Sequence, residues 1–81
     1  MTVSVRLFAV ARQLAGAEVI DVKLPEGGTV GALRRELLAQ WPLLAPLVAH
    51  MALAVDSCYA GDDVQIRLES EVACIPPVSG G

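Results

Sequence analysis

Cysteine, histidine, aromatic residues and positive charge are all scarce in this 81-residue chain, and each shortage closes a class of function. Cys58 and Cys74 are the only cysteines and they form no Cys-x-x-Cys spacing. A small exported domain stapled by disulfides needs more bridges than one pair allows. Both therefore read as free thiols, Cys74 as a small core residue and Cys58 in a loop. His50 is the single histidine, so a zinc ligand set is incomplete and no metal site is expected. With no nucleophile near it, His50 reads as a cation close to a helix C-terminus. The six Lys and Arg residues are scattered and the net charge is −3. A nucleic-acid surface needs a concentrated basic patch, and a membrane-surface helix needs a basic amphipathic stretch; neither is present. No apolar run approaches the roughly 20 residues of a membrane span. Met1 to Arg6 alternates like a strand and lacks the plan of a signal peptide, so a cytoplasmic location is expected, with no nucleic-acid or membrane partner.

What the chain does have is aliphatic mass. Its 54% apolar content comes from Ala, Val and Leu, with one Phe, one Trp and one Tyr. That suffices for one compact domain. A chain of this size buries only about 60–65% of its unfolded surface, so the core is thin and some apolar surface is left for a partner.

Val3, Val5, Leu7 and Ala9 alternate with Ser4, Arg6 and Phe8, the period of a half-buried strand. Val10 to Gly16 reads as a short turn or single helical turn. Val19 to Leu24 is a second strand, with Ile20, Val22 and Leu24 on one face, stopped by Pro25-Glu26-Gly27-Gly28. Thr29 stands where an N-cap belongs, and Val30, Leu33, Leu37 and Trp41 recur at helical spacing, with Leu38 beside them. Pro42 ends that helix, and Leu43 to Ala49 suits a second short one. Met51 to Val55 returns to strand, and Asp56-Ser57 turns. Cys58-Tyr59-Ala60 leads into the loop Gly61-Asp62-Asp63. Val64 to Leu68 alternates again, Glu69-Ser70 turns, and Val72 to Ile75 is the last strand.

Strand, strand, helix, then strands describes an α+β chain, a mixed sheet with one main helix on one face. The terminal strand can lie parallel to the first. This is the β-grasp arrangement of ubiquitin, with residues 1–75 as the domain and 76–81 as a tail. A helix on one face leaves the other uncovered. If Val72 and Cys74 point inward, Ala73 and Ile75 point outward, and Phe8 is opposite in parity to Val3, Val5 and Leu7. Phe8, Ala73 and Ile75 then form an apolar partner surface beside the tail.

The tail is Pro76-Pro77-Val78-Ser79-Gly80-Gly81. Two residues without a Cβ enter a channel too narrow for any other. The prolines resist helix and hold the chain extended. Six residues reach roughly 20 Å at about 3.3–3.6 Å each, enough to enter another protein's pocket. Gly81 is expected to present a free carboxylate there.

These residues resemble the small, sulfur-carrier subunits of molybdopterin synthase, nearly end to end. The resemblance rests on Val5-Arg6-Leu7-Phe8-Ala9 with Ala11-Arg12 and Leu14-Ala15-Gly16, on Thr29-Val30 with Leu33, Leu37 and Leu38, and on Leu53-Ala54-Val55-Asp56. Its most specific part is Glu71-Val72-Ala73 with Ile75 through Gly81. A Gly-Gly end is common to ubiquitin-like carriers; Pro-Pro-Val-Ser-Gly-Gly points to this branch. The chain departs from the pattern at Glu69-Ser70-Glu71, where a Gly-Asp turn is usual, and at Cys74-Ile75, which lacks a bulky aromatic.

The resemblance implies a carrier that binds no cofactor itself. An E1-like adenylating enzyme, using ATP and magnesium, converts the Gly81 carboxylate to an acyl-adenylate. A sulfur donor protein then supplies the sulfur of a thiocarboxylate. Pro76, Pro77, Val78, Ser79 and Gly80 accompany Gly81 into the large synthase subunit, which holds the acid–base residues. There sulfur passes to cyclic pyranopterin monophosphate, within a heterotetramer that carries one small subunit at each end. In that sense the chain is the sulfur-donating half of a sulfurtransferase. Three alternatives stay open: a carrier for thiamine or tRNA thiolation, a ubiquitin-like modifier joined to lysines, and a β-grasp interaction domain with an idle tail.

Overall fold

Alternation governs the first strand: in β1 (Thr2–Leu7) every second residue, Val3, Val5 and Leu7, is buried and the residues between them are exposed. The computed structural model describes residues 1–76; Pro77, Val78, Ser79, Gly80 and Gly81 lie outside the described residues. After β1 come α1 (Ala9–Ala15), β2 (Val19–Lys23), α2 (Val30–Gln40), a 3-10 turn (Pro42–Leu44), α3 (Ala45–Val48), β3 (Ala52–Val55), β4 (Cys58–Tyr59) and β5 (Val72–Ile75). The strands form one five-stranded sheet in the order β2-β1-β5-β3-β4. β1 pairs with β2 antiparallel, from Thr2 opposite Lys23 to Arg6 opposite Val19. It pairs with β5 parallel, in register at Val5 with Val72, Arg6 with Ala73 and Leu7 with Cys74. β3 runs antiparallel to both β5 and β4. The mixed sheet and its helical cover are the β-grasp arrangement anticipated above.

Helix α2 starts where Thr29 caps it, its Oγ1 accepting from the Ala32 N–H at 3.2 Å. It stops before Pro42, which lacks an N–H and pushes Trp41 out of helical geometry, to φ −129° and ψ 69°. The face it buries carries Val30, Leu33 and Leu37, packed with Val5, Leu7, Ile20, Val22, Leu53, Val72 and Cys74. Each such side chain contributes about 1.5–3 kcal/mol on leaving water. Trp41 lies at the rim, half-buried, and Leu38 is 46% exposed. Arg34 ties this helix to the rest, donating from Nε to Asp62 Oδ1 at 3.1 Å and from Nη1 to the Val48 carbonyl at 2.9 Å.

As an edge strand, β2 would offer free backbone groups to any neighbouring chain. The end of α2 takes them up. The Gln40 side chain accepts from the Lys23 N–H at 2.9 Å and donates to the Lys23 carbonyl at 2.8 Å. Trp41 Nε1 donates to the Asp21 carbonyl at 3.2 Å. The opposite edge, β4, is only two residues long.

Three local expectations are corrected. Val64 to Leu68 is not a strand: Gln65 makes one isolated bridge to Thr29, and the Ile66 N–H donates to the Gly28 carbonyl at 2.9 Å. Its alternation reflects the burial of Ile66 alone, against the loop that leads into α2. Cys58-Tyr59 is a strand, not a loop, because the Asp56-Ser57 turn folds it back on Ala54 and Val55. Ala9 does not extend β1; it opens α1, exposed, at φ 53°. That helix closes on Gly16, left-handed at φ 73°, whose N–H donates to the Arg12 carbonyl.

The hairpin turn between β3 and β4 has positive φ at both central residues, 52° at Asp56 and 68° at Ser57. Asp56 is compensated: its N–H donates to the Glu71 carbonyl at 2.8 Å, and its Oδ1 accepts from the Glu71 N–H at 2.9 Å. No hydrogen bond of the Ser57 side chain offsets its strain among the described residues. Left-handed geometry costs an ordinary residue roughly 1–2 kcal/mol, partly returned as chain entropy when glycine replaces it. Ser57→Gly should therefore stabilise the fold by about 0.5–1 kcal/mol, raising Tm by roughly 2–8 °C in a thermal melt.

Cys74 is fully buried and Cys58 is exposed. Loss of hydration on burial pushes the Cys74 thiol up from 9.0 to about 12, with Arg34 pulling weakly the other way. Alkylation of the native protein should label Cys58 alone, and unfolding should expose Cys74 as well, a result read directly by intact-mass measurement. Above pH 9.0 the unfolded chain releases a proton that the folded chain retains until about 12. Stability should thus hold below that window and fall as pH rises through it. Denaturant titrations should show a flatter alkaline limb for Cys74→Ala.

Candidate functional site

The sheet face turned away from α2 is left open, and its residues line up across all five strands. Tyr59 stands opposite Ala54, Ala54 opposite Ala73, Ala73 beside Arg6, and Arg6 opposite Val19. The next row towards the chain exit pairs Ala52 with Ile75. Carrying the parallel register one step beyond Leu7 and Cys74 sets Phe8 level with Ile75. Phe8 is extended, at φ −128° and ψ 155°, and 42% exposed. Tyr59 is 76% exposed.

Two alanines give this face its shape. Ala54 and Ala73 sit side by side on neighbouring strands, and their short side chains leave a shallow groove of about 370 Å³. Phe8 and Val19 bound it on one side, Ser57, Ser70 and Glu71 on another, with Ser4 and Arg6 between. Because β5 is central and runs parallel to β1, the chain leaves the sheet at the end where Phe8 stands. Pro76, the last described residue, is itself buried.

Of the residues expected at the site, Phe8 and Ala73 line this groove, and Ile75 lies half-buried in the row beside Ala52. Pro77, Val78, Ser79, Gly80 and Gly81 lie outside the described residues. Arg6, Val19, Ala54, Ser57 and Glu71 had not been anticipated as lining. Ala54 was recoverable: it stands between Leu53 and Val55, both inward, so period two sends it to the open face. Ser57 and Glu71 arrive only through the Asp56 hydrogen bonds, which no sequence period reports.

The described residues supply a surface and no catalytic constellation. No group of three or more His, Cys, Asp or Glu could hold a metal ion among them. The Cys74 thiol is buried and held protonated at neutral pH, which removes it as a nucleophile. No helix among them is long and apolar enough to cross a membrane.

Comparison with known proteins agrees with this geometry. The chain is 39% identical to the molybdopterin synthase sulfur carrier subunit of Caenorhabditis briggsae, over 100% of its own length and 99% of the relative's. It is 35% identical to the subunit of the same name from Arabidopsis thaliana, over 98% of this chain and 82% of that one. The crystal structure of the small archaeal modifier SAMP1 from Haloferax volcanii superposes with a TM-score of 0.85 at 25% identity, covering 100% of both chains. The model of the ThiS family matches residues 5–81, from the first strand through the terminal glycines. With the match running through sheet, groove and tail alike, the chain belongs to the ThiS family.

Proposed function

We propose that the chain acts as the sulfur-carrier subunit of a molybdopterin synthase, with Gly81 as the point of covalent attachment. The observation that carries this reading is likeness at full length to relatives bearing that name. Support comes from the groove on the open face, which Phe8, at the chain-exit end of the sheet, helps to line.

A carboxylate is a poor electrophile. Adenylation by an E1-like enzyme with ATP and magnesium gives Gly81 a phosphate leaving group. The outer sulfur of a donor-protein persulfide attacks the Gly81 carbonyl, AMP departs and an acyl disulfide forms. A second thiol then attacks the donor's sulfur, breaking the S–S bond, releasing the thiocarboxylate and leaving a disulfide between the two thiols. The thiocarboxylate is anionic at neutral pH and nucleophilic through sulfur, as an activated thiolate is. Pro76 and Pro77 stiffen the approach, and Val78, Ser79 and Gly80 fit a narrow channel in the large subunit. Acid–base residues there complete the transfer to cyclic pyranopterin monophosphate. Docking strength comes from the open face, where Phe8, Ala73 and Ile75 exclude water from the contact. The setting for this chemistry is the cytoplasm.

The likeness to an archaeal modifier favours one second reading, in which Gly81 is joined to lysines of other proteins. Mass spectrometry of the chain from its native host separates the two. The carrier yields a sulfur-for-oxygen exchange at the terminus, the modifier an isopeptide-linked conjugate. In reconstitution with the large subunit and the pterin, the thiocarboxylate form should give product and the carboxylate form none. One alanine appended after Gly81 should abolish activation. Turnover by that extended variant would overturn the mechanism.

A further inference from the structure

Arg6 is the one cation in the row that crosses the open face; its neighbours in that row are apolar, while Ser4, Ser57, Ser70 and Glu71 line the same groove. Val19 stands opposite it on β2, Ala73 beside it on β5, and Phe8 two residues on, just past the end of β1. The described salt bridges join Arg12 to Glu18 and Arg34 to Asp62; Arg6 takes part in neither. Two carboxylates share the face. Asp21 accepts from Ser4 Oγ at 3.2 Å, and Glu71 lines the groove with its backbone bonded to Asp56. Among the described residues neither forms a salt bridge with Arg6.

In the free protein this arrangement costs little, because Arg6 is exposed and its guanidinium is hydrated. A partner that covers Phe8, Val19 and Ala73 strips that water away. A guanidinium cannot shed its charge by deprotonation at any physiological pH. Buried without a counter-ion it would oppose the docking that the apolar rows favour. The partner surface must therefore bring an acceptor, and a planar guanidinium is best matched by a carboxylate in bidentate geometry.

Resting on the carrier reading above, we infer that Arg6 is a specificity-determining residue. The partner docking on the open face presents an aliphatic surface with one Asp or Glu side chain placed opposite Arg6. The alanine floor is what lets that carboxylate reach the guanidinium. Surfaces of similar shape that lack the acid are rejected, since they would bury an unpaired charge.

The test is affinity between this chain and the large synthase subunit of its own organism, measured by calorimetry for wild type, Arg6→Met and Arg6→Glu. Thermal melts establish that the variants fold. Arg6→Met should weaken binding by about 10-fold or more and Arg6→Glu by about 30-fold or more, with melting temperatures close to wild type. Each Asp and Glu on the partner's docking surface is then replaced in turn by Lys. One of these should restore binding to Arg6→Glu while impairing wild type, the coupling expected of a direct pair. Wild-type affinity in Arg6→Met, or no partner acid coupled to Arg6→Glu, would overturn the inference and leave the carrier reading standing. Failure of wild type itself to bind would overturn both.

Discussion

The parallel pairing of β1 with β5 is the constraint on which the rest of the molecule depends. It joins the two ends of the chain, Val5 with Val72 and Leu7 with Cys74, at the centre of the sheet. A contact so distant in sequence carries a heavy loop-closure cost, and only the burial of those side chains beneath α2 offsets it. The same pairing decides where the chain leaves the domain. The two strands run in one direction, so the chain passes from Ile75 to Pro76 at the end of the sheet where Phe8 stands.

One face and one edge of the sheet are closed by a single helix. Val30, Leu33 and Leu37 cover the inner face, while Gln40 and Trp41 hold the backbone of β2. The outer face is divided: Thr2, Ser4, Arg6, Asp21 and Lys23 keep its β1–β2 side largely polar, while Ala52, Ala54, Ala73 and Ile75 leave the β3–β5 side small and apolar. Ala54 is 7% exposed there although it is not a member of the main core cluster, because the sheet itself shields a side chain so short. Such a face contributes contact area, which suits a sulfur-carrier subunit that docks on a partner.

Much of this was legible in the residues because burial is periodic. Val3, Val5 and Leu7, then Ile20, Val22 and Leu24, then Thr29 with Val30, Leu33 and Leu37 each report one buried face, and each holds. Period two failed at Val64 to Leu68 because a strand needs a neighbour with free backbone groups. Gly28 and Thr29 offer that segment only isolated bonds. It failed in the other direction at Cys58-Tyr59, too short to show any period and created by a strained turn. The outward position of Phe8 and Ala73 followed from parity. The groove between them did not, since it depends on which strand lies beside which, and Ala54 meets Ala73 only through the β3–β5 register. The clamp of Gln40 on Lys23 was equally hidden: a polar residue at a helix end gives no sign of the strand edge it will meet.

The central claim is that a partner covers the face opposite α2 while receiving the tail. Backbone amide resonances of the isotope-labelled chain, followed as the unlabelled large subunit is added, test it most directly. Arg6, Phe8, Ala54, Ala73 and Ile75 should shift together with Ser79, Gly80 and Gly81, while Leu38 and Arg35 on the outer side of α2 stay in place. Shifts gathered around Leu38 and Arg35, with the sheet residues and terminal glycines unmoved, would contradict it.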